Sequence, residues 1–140
     1  MTMQRIVKYF FVTVTITLCS ISGFSQCDDE GFLDKCSGEL KDFTFVKSFE
    51  SSGKQEFSYV FSKDHNYLLT VCDQVTGGGR MVVSLYDRNH KLILTSYNKA
   101  TKKYYPSVGY KCTATGVYYI ETSFDENAKG CGVSILGFKK

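Results

Sequence analysis

The sequence predicts an all-β protein, an antiparallel β-sandwich that is jelly-roll-like, with about eight strands and a short N-terminal helix. Three observations predict it. From Phe43 onward, apolar and polar residues alternate in short runs. The runs recur at regular spacing and are joined by Gly, Asn and Asp turn chemistry. No internal repeat or low-complexity linker divides the chain.

The first element is a leader. Residues 1–25 read MTMQRIVKYFFVTVTITLCSISGFS, with Arg5 and Lys8 ahead of an uncharged run and then small residues, the order of a secretory signal. The apolar run is about 11–14 residues, short of the roughly 20 that span a bilayer. Gly23 and Ser25 place the cleavage before Gln26. The expected location is periplasmic or secreted. Lipid anchoring through Cys27 is the alternative, but the residue before Cys27 is Gln26, where a lipoprotein signal has a small residue.

Residues 26–42 form an N-terminal segment. Phe32, Cys36 and Leu40 are four residues apart and would share one face of a short helix over 28–40, capped by Asp28 or Asp29. Gly31 and Gly38 work against that helix. The sandwich domain then covers 43–140. FTFVKSFE (43–50) and EFSYVFS (56–62), joined by SSGK, read as a hairpin. NYLLTVCD (66–73) is the third strand, and VTGGGR (75–80) is a loop. MVVSLYD (81–87) and KLILTSY (91–97) flank a tight turn set by Asp87 and Asn89. YPSVGYKC (105–112), VYYIETSF (117–124) and CGVSILGF (131–138) complete the set and are taken as a meander. Met81, Val83 and Leu85 share one face, as do Tyr118, Ile120 and Thr122, and the opposite face of each sheet is expected to be wet.

Five cysteines remain after cleavage, Cys27, Cys36, Cys72, Cys112 and Cys131, and in an exported chain they read as disulfide candidates. Five is odd, so one thiol is left over. Cys72 ends its strand while Cys131 begins one, which favours Cys72–Cys131 if those strands are antiparallel neighbours. Cys112 would then pair with Cys36 or Cys27. Cys112–Cys131 is disfavoured, because in a meander the two lie at opposite ends of the 117–124 strand, roughly 20 Å apart.

The strand pattern carries a resemblance. YLLTVCD, MVVSLYDRNHKLI and TGVYYIETS resemble the bacterial pre-peptidase C-terminal domain, a jelly-roll module of secreted proteins, over roughly residues 55–138. The ending CTATGVYYIETSF…CGVSILGFKK is similar to small secreted proteins of Gram-negative bacteria with no assigned activity. The resemblance implies a non-catalytic module. That module normally adjoins a catalytic domain, and no such domain is evident in this sequence.

Catalytic signatures are missing. There is no G-x-S-x-G, H-E-x-x-H or P-loop, and His65 and His90, the only imidazoles, fall in polar turns. TGGGR lacks the Gly-Lys-Ser/Thr ending of a phosphate cradle. No CxxC pair offers a zinc site. Asp125 with Glu126, or Asp87 with Asn89, make an incomplete calcium set. The expectation is no enzyme, no cofactor and no metal. The whole chain has 17 Lys+Arg and 14 Asp+Glu, and removing Arg5 and Lys8 with the leader leaves 15 against 14. That balance gives no reason to expect nucleic acid or, after cleavage, a membrane as partner. The function expected is binding or structural. Tyr97, Tyr104, Tyr105 and Tyr110, set around a cationic loop, are the candidate surface for a protein or a polysaccharide at the cell surface. A carbohydrate-binding module using these tyrosines is one alternative. A hydrolase or thiol-dependent enzyme is another.

Overall fold

A strand that alternates apolar and polar residues has one face to bury, and two such sheets closed on each other form a sandwich. The computed structural model, which describes Asp34 and residues 36–73, 80–125 and 130–140, has this architecture. Among the described residues the strands are β1 Thr44–Ser51, β2 Gln55–Phe61, β3 Asn66–Asp73, β4 Met81–Tyr86 and β5 Leu92–Thr95. They continue with β6 Tyr97–Asn98, β7 Lys103–Tyr104, β8 Ser107–Lys111, β9 Gly116–Phe124 and β10 Gly132–Lys139. One sheet has the order β1-β10-β3-β8, the other β2-β9-β4-β5, and β6 pairs with β7 alone. All pairings are antiparallel, and this strand order in two four-stranded sheets is a jelly roll.

The strands stand where the alternation puts them, but several pairings differ from expectation. β1 and β2 are not a hairpin: β1 pairs with β10 and β2 with β9, in opposite sheets. The SSGK connection is an arch between layers, with Ser51 Oγ donating to the Gly53 carbonyl at 2.5 Å and receiving a bond from Thr122 Oγ1 at 2.9 Å. The arch lets Phe49 and Phe57 meet across the core, ring centroids 4.9 Å apart, where a hairpin would lay their strands side by side. Nor are the last three long strands a meander. β8 and β10 both flank β3, while β9 lies in the other sheet between β2 and β4. Among the strands of the two large sheets only β4 and β5 form a hairpin, its turn held by Asp87 Oδ1 accepting from the Asn89 and Lys91 amides at 2.8 and 3.0 Å. The expected strand 91–97 breaks at Ser96, whose backbone NH donates to the Val83 carbonyl at 2.8 Å while its Oγ accepts from the Val83 amide at 2.9 Å.

Met81, Val83, Leu85, Tyr118, Ile120 and Thr122 all point inward and are buried, as their spacing predicts. Phe61 is fully buried and stacks on Tyr67 at 3.9 Å and Tyr118 at 4.9 Å, closing the end of the sandwich away from β6–β7. Burying one such ring contributes about 1.5–3 kcal/mol.

The outer face of the β1-β10-β3-β8 sheet is not wet. Cys36 and Leu40, with Phe43 beside them, lie over Val133, Ile135 and Leu68 as a second small core. This explains β10, where Gly132 to Gly137 are buried without alternation. The helix expected over 28–40 is, in its described part, a 3-10 turn at Gly38–Leu40 that follows helical residues at Cys36 and Ser37. Cys36 and Leu40 do share its buried side, while Phe32 lies outside the described residues.

Cys72, outward on β3, forms a disulfide with Cys36, Cα–Cα 5.9 Å. The expected Cys72–Cys131 pair is therefore not formed. β3 and β10 are indeed antiparallel neighbours, but Cys72 faces Val133, two residues past Cys131, and the overlying segment delivers Cys36 directly onto Cys72. Cys131 is disulfide-bonded elsewhere. Cys112 pairs with neither Cys36 nor Cys27: its thiol is free, buried, and 3.2 Å from the Ala114 carbonyl. Cys27 lies outside the described residues.

Candidate functional site

Residues that point inward on β4, β5 and β9 build the core, so their neighbours at odd offset face solvent. On the β2-β9-β4-β5 sheet these outward residues form the floor of a groove of about 840 Å³. Val82, Ser84 and Tyr86 come from β4, Glu121 and Ser123 from β9, and Leu92 and Thr95 from β5. The Lys54 ammonium reaches Glu121 at 3.5 Å from one side. Tyr97, Asn98, Lys99 and Ala100 of the β6–β7 hairpin, with Tyr105 after it, make the other wall. Ser84 Oγ donates to Thr95 Oγ1 at 3.1 Å, so part of the floor is a hydroxyl pair. Burial, and then the negative charge of Glu121, hold the Tyr86 phenol above the ordinary tyrosine range.

The wall is braced from behind. Tyr97 and Tyr104, cross-strand partners, stack at 4.5 Å. The Tyr104 hydroxyl donates to Asp125, and the Arg80 guanidinium lies over the Tyr104 ring at 4.8 Å. Arg80 is in turn 3.6 Å from Asp73, which accepts from the Met81 amide at 2.9 Å. The bond to the Asp125 carboxylate, followed by burial, raises the Tyr104 pKa well above the usual tyrosine value. Asn98 Oδ1 accepts from the Ala100 and Thr101 amides at 3.0 and 3.2 Å, shaping the hairpin turn, and the Tyr105 amide donates to the Ser96 carbonyl at 2.8 Å.

The structure thus gathers three of the four candidate tyrosines. Tyr97 and Tyr105 line the groove, and Tyr104 supports it. Tyr110 stands apart on β8, packed against the core, its hydroxyl 3.4 Å from that of Tyr118. Burial, then the bonds to Tyr110 and Cys112, raise the Tyr118 pKa. Tyr110 and Tyr118 line a smaller cavity of about 320 Å³ with the Asp87–Asn89 turn and residues 113–117. Tyr86, Glu121 and Ser84 escaped the sequence reading. Their signal was the outward phase of each strand, but only the pairing of β4 between β9 and β5 turns that phase into one surface.

Other candidates are placed as follows. His65 Nδ1 is 3.0 Å from the Lys63 carbonyl, and His90 stacks on Tyr119 at 4.1 Å with Nε2 3.5 Å from Glu56. Asp87 is engaged in its own turn and Asp125 with Tyr104, while Glu126 lies outside the described residues. Among the described residues no group of three or more His, Cys, Asp or Glu is placed to hold a metal ion, and no helix is long and apolar enough to cross a membrane.

No family model matches the chain, and no curated protein matches it. Among solved structures, the chain is similar to Aeromonas hydrophila PliG, a periplasmic inhibitor of g-type lysozyme, at 8% identity and TM-score 0.47, over 71% of this chain and 90% of that one. It is also similar to the Bacillus licheniformis lipase BlEst2 in propeptide form, at 18% identity and TM-score 0.43, over 69% of this chain and 22% of that one. At these values neither likeness bears on what this chain binds, and the resemblance to the pre-peptidase C-terminal module reaches no further than a β-rich fold.

Proposed function

We propose that the protein is an exported, non-catalytic binding protein whose ligand lies in the groove between the β6–β7 hairpin and the outer face of the β2-β9-β4-β5 sheet. The observation that carries this reading is the construction of the groove. Its floor and wall are side chains left over from core building, held by a wall that a chain of hydrogen bonds and ring contacts braces in place. Preformed concavity with a few oriented polar groups is what ligand sites have in common. Tyrosine rings beside hydroxyl, amide and carboxylate groups suit a polysaccharide, whose apolar ring faces stack and whose hydroxyls need paired polar partners. Export is supported by the leader pattern and by the Cys36–Cys72 disulfide, which belongs to an oxidising compartment.

The test is retention of the exported protein on immobilised polysaccharides, neutral (cellulose, dextran) and acidic (polygalacturonate, alginate). Wild type is expected to be retained by at least one, and the Tyr97→Ala/Tyr105→Ala variant, with its thermal unfolding unchanged, is expected to elute early. Retention by none, or undiminished retention of the variant, overturns the reading.

A further inference from the structure

We infer that the groove takes an acidic polysaccharide, a glycan chain carrying carboxylate or sulfate groups, with the β6–β7 hairpin as its anion-reading wall. The inference rests on the groove being a binding site, and it names the ligand class. From Arg88 to Ile120 the chain contains Arg88, Lys91, Lys99, Lys102, Lys103 and Lys111 and not one Asp or Glu. The near neutrality of the whole protein hides this segregation. The fold then sharpens it. The segment supplies β5 and β8, edge strands of the two sheets, and the β6–β7 hairpin after β5. The cations stand at the ends of that lateral edge, Lys99, Lys102 and Lys103 on the hairpin, Arg88 and Lys91 in the β4–β5 turn and Lys111 at the end of β8.

All six cations are exposed, and none forms an ion pair with a carboxylate among the described residues. Three of them, Lys99, Lys102 and Lys103, sit on the hairpin, with Lys103 opposite Asn98 and its ammonium 5.3 Å over the Tyr105 ring. The acids near the groove are already occupied: Glu121 by Lys54, Asp125 by Tyr104. An anionic ligand entering the groove meets Lys99 in its lining and Lys103 beside its Tyr105 wall, while the Glu121 charge is offset by Lys54 and the Asp125 carboxylate, still charged, is hydrogen-bonded to Tyr104. Uncompensated like charges on one face raise the local concentration of an oppositely charged partner.

The occupant is a glycan chain because of what lies beside the lysines. A bilayer surface is too broad to enter a concave groove, and membrane binding by charge also calls for buried apolar area. A single-stranded nucleic acid stacks base after base on aromatic platforms. Here the aromatic wall is followed by a floor of Ser84, Thr95 and Ser123 hydroxyls with the Glu121 carboxylate, groups suited to sugar hydroxyls.

The test uses the exported protein and four probes: polygalacturonate, dextran, a single-stranded oligonucleotide and vesicles containing anionic lipid. Polygalacturonate is expected to bind, dextran not. Affinity should fall as salt rises from about 0.05 M to about 0.5 M, as the screening length shortens. Lys99→Gln/Lys102→Gln/Lys103→Gln should weaken binding about tenfold, each exposed charge contact contributing a factor of roughly two. The Arg triple variant at the same positions should restore it. Lys47→Gln/Lys63→Gln/Lys140→Gln, an equal charge loss elsewhere on the surface, should leave it unchanged.

If dextran and polygalacturonate bind equally, with the hairpin lysines irrelevant and Tyr97 and Tyr105 required, the acidic class is wrong and the groove stands. If the oligonucleotide or the vesicles bind as tightly as polygalacturonate, the glycan assignment is overturned. If none of the probes binds and the polysaccharide panel also retains nothing, groove and ligand class fall together.

Discussion

The covered outer face of the β1-β10-β3-β8 sheet makes a demand that can be measured. Replacing Cys36 and Cys72 together by alanine removes the bridge that ties residues 36–43 to β3. The bridge closes a chain segment of 36 residues. Opening a loop of that length returns chain entropy to the unfolded ensemble worth about 4 kcal/mol at 25 °C. Leu40 and Phe43 still have Ile135, Val133 and Leu68 to cover, so the segment keeps part of its hold. For a folded body of about 105 residues, from Cys36 to the end of β10, such a loss lowers Tm by on the order of 15–20 °C. Substitution is a cleaner perturbation than reductant, because Cys131 is also disulfide-bonded and would be reduced as well. The assay is thermal unfolding followed by near-ultraviolet circular dichroism, with thiol titration of wild type before and after denaturation. Cys112 is 1% exposed, so its thiol should be silent in the native protein and react on unfolding. A Tm within about 3 °C of wild type would refute the disulfide as the clamp on this segment.

Three further outcomes follow from the same contacts. A Cβ added at Gly137 would lie 2.7 Å from Leu40 Cδ2 and 3.0 Å from Phe43 Cβ, so Gly137→Ala should cost about 1–3 kcal/mol in denaturant unfolding. Much of that cost should disappear in a Leu40→Ala background, and an additive double-mutant cycle would place the strain elsewhere. Tyr104→Phe should loosen the groove wall by about 1 kcal/mol or less, the bond being half exposed, and speed hydrogen exchange of the Tyr105 amide. Because folding raises the Tyr104 pKa, the contribution of this bond is complete below pH ~10 and lost as pH rises through the elevated value; a shallower fall of stability above pH ~10 in the Phe variant than in wild type is the signature sought, Tyr86 and Tyr118 keeping their own raised values in both. Asp87 has the opposite sign: the Lys91 amide, with the Asn89 amide behind it, lowers its pKa, so its stabilisation is present above pH ~4 and lost as pH falls through the depressed value. Amide exchange at Asn89 and Lys91 should therefore accelerate on acidification, beyond the intrinsic rate, in wild type and not in Asp87→Ala.

What this sequence determined on its own is everything that depends on near neighbours in the chain. Alternation put eight strands in place, because side chains two apart share a face whatever the strand pairs with. Asp87 and Asn89 specified the turn of the β4–β5 hairpin. The four-residue spacing of Cys36 and Leu40 placed both on one buried side, even though only a 3-10 turn is described there. Sheet membership is different. A strand such as β2 carries the same pattern whether it lies beside β1 or across the core from it, and SSGK can turn within a sheet or arch between sheets. Packing decides, through contacts between residues far apart in sequence such as Phe49 with Ser134 or Phe57 with Ile120. The disulfide and the groove inherit that decision. Cys36 reaches Cys72 because the N-terminal segment crosses the outside of β3, and Ser84, Glu121 and Tyr105 become one surface because β4 lies between β9 and β5. The acid-free stretch from Arg88 to Ile120 was written in the chain all along, yet a chain of residues has no edges; the tertiary fold set its cations at the ends of one edge of the sandwich, because burying two apolar faces leaves the remaining residues no choice of where to stand.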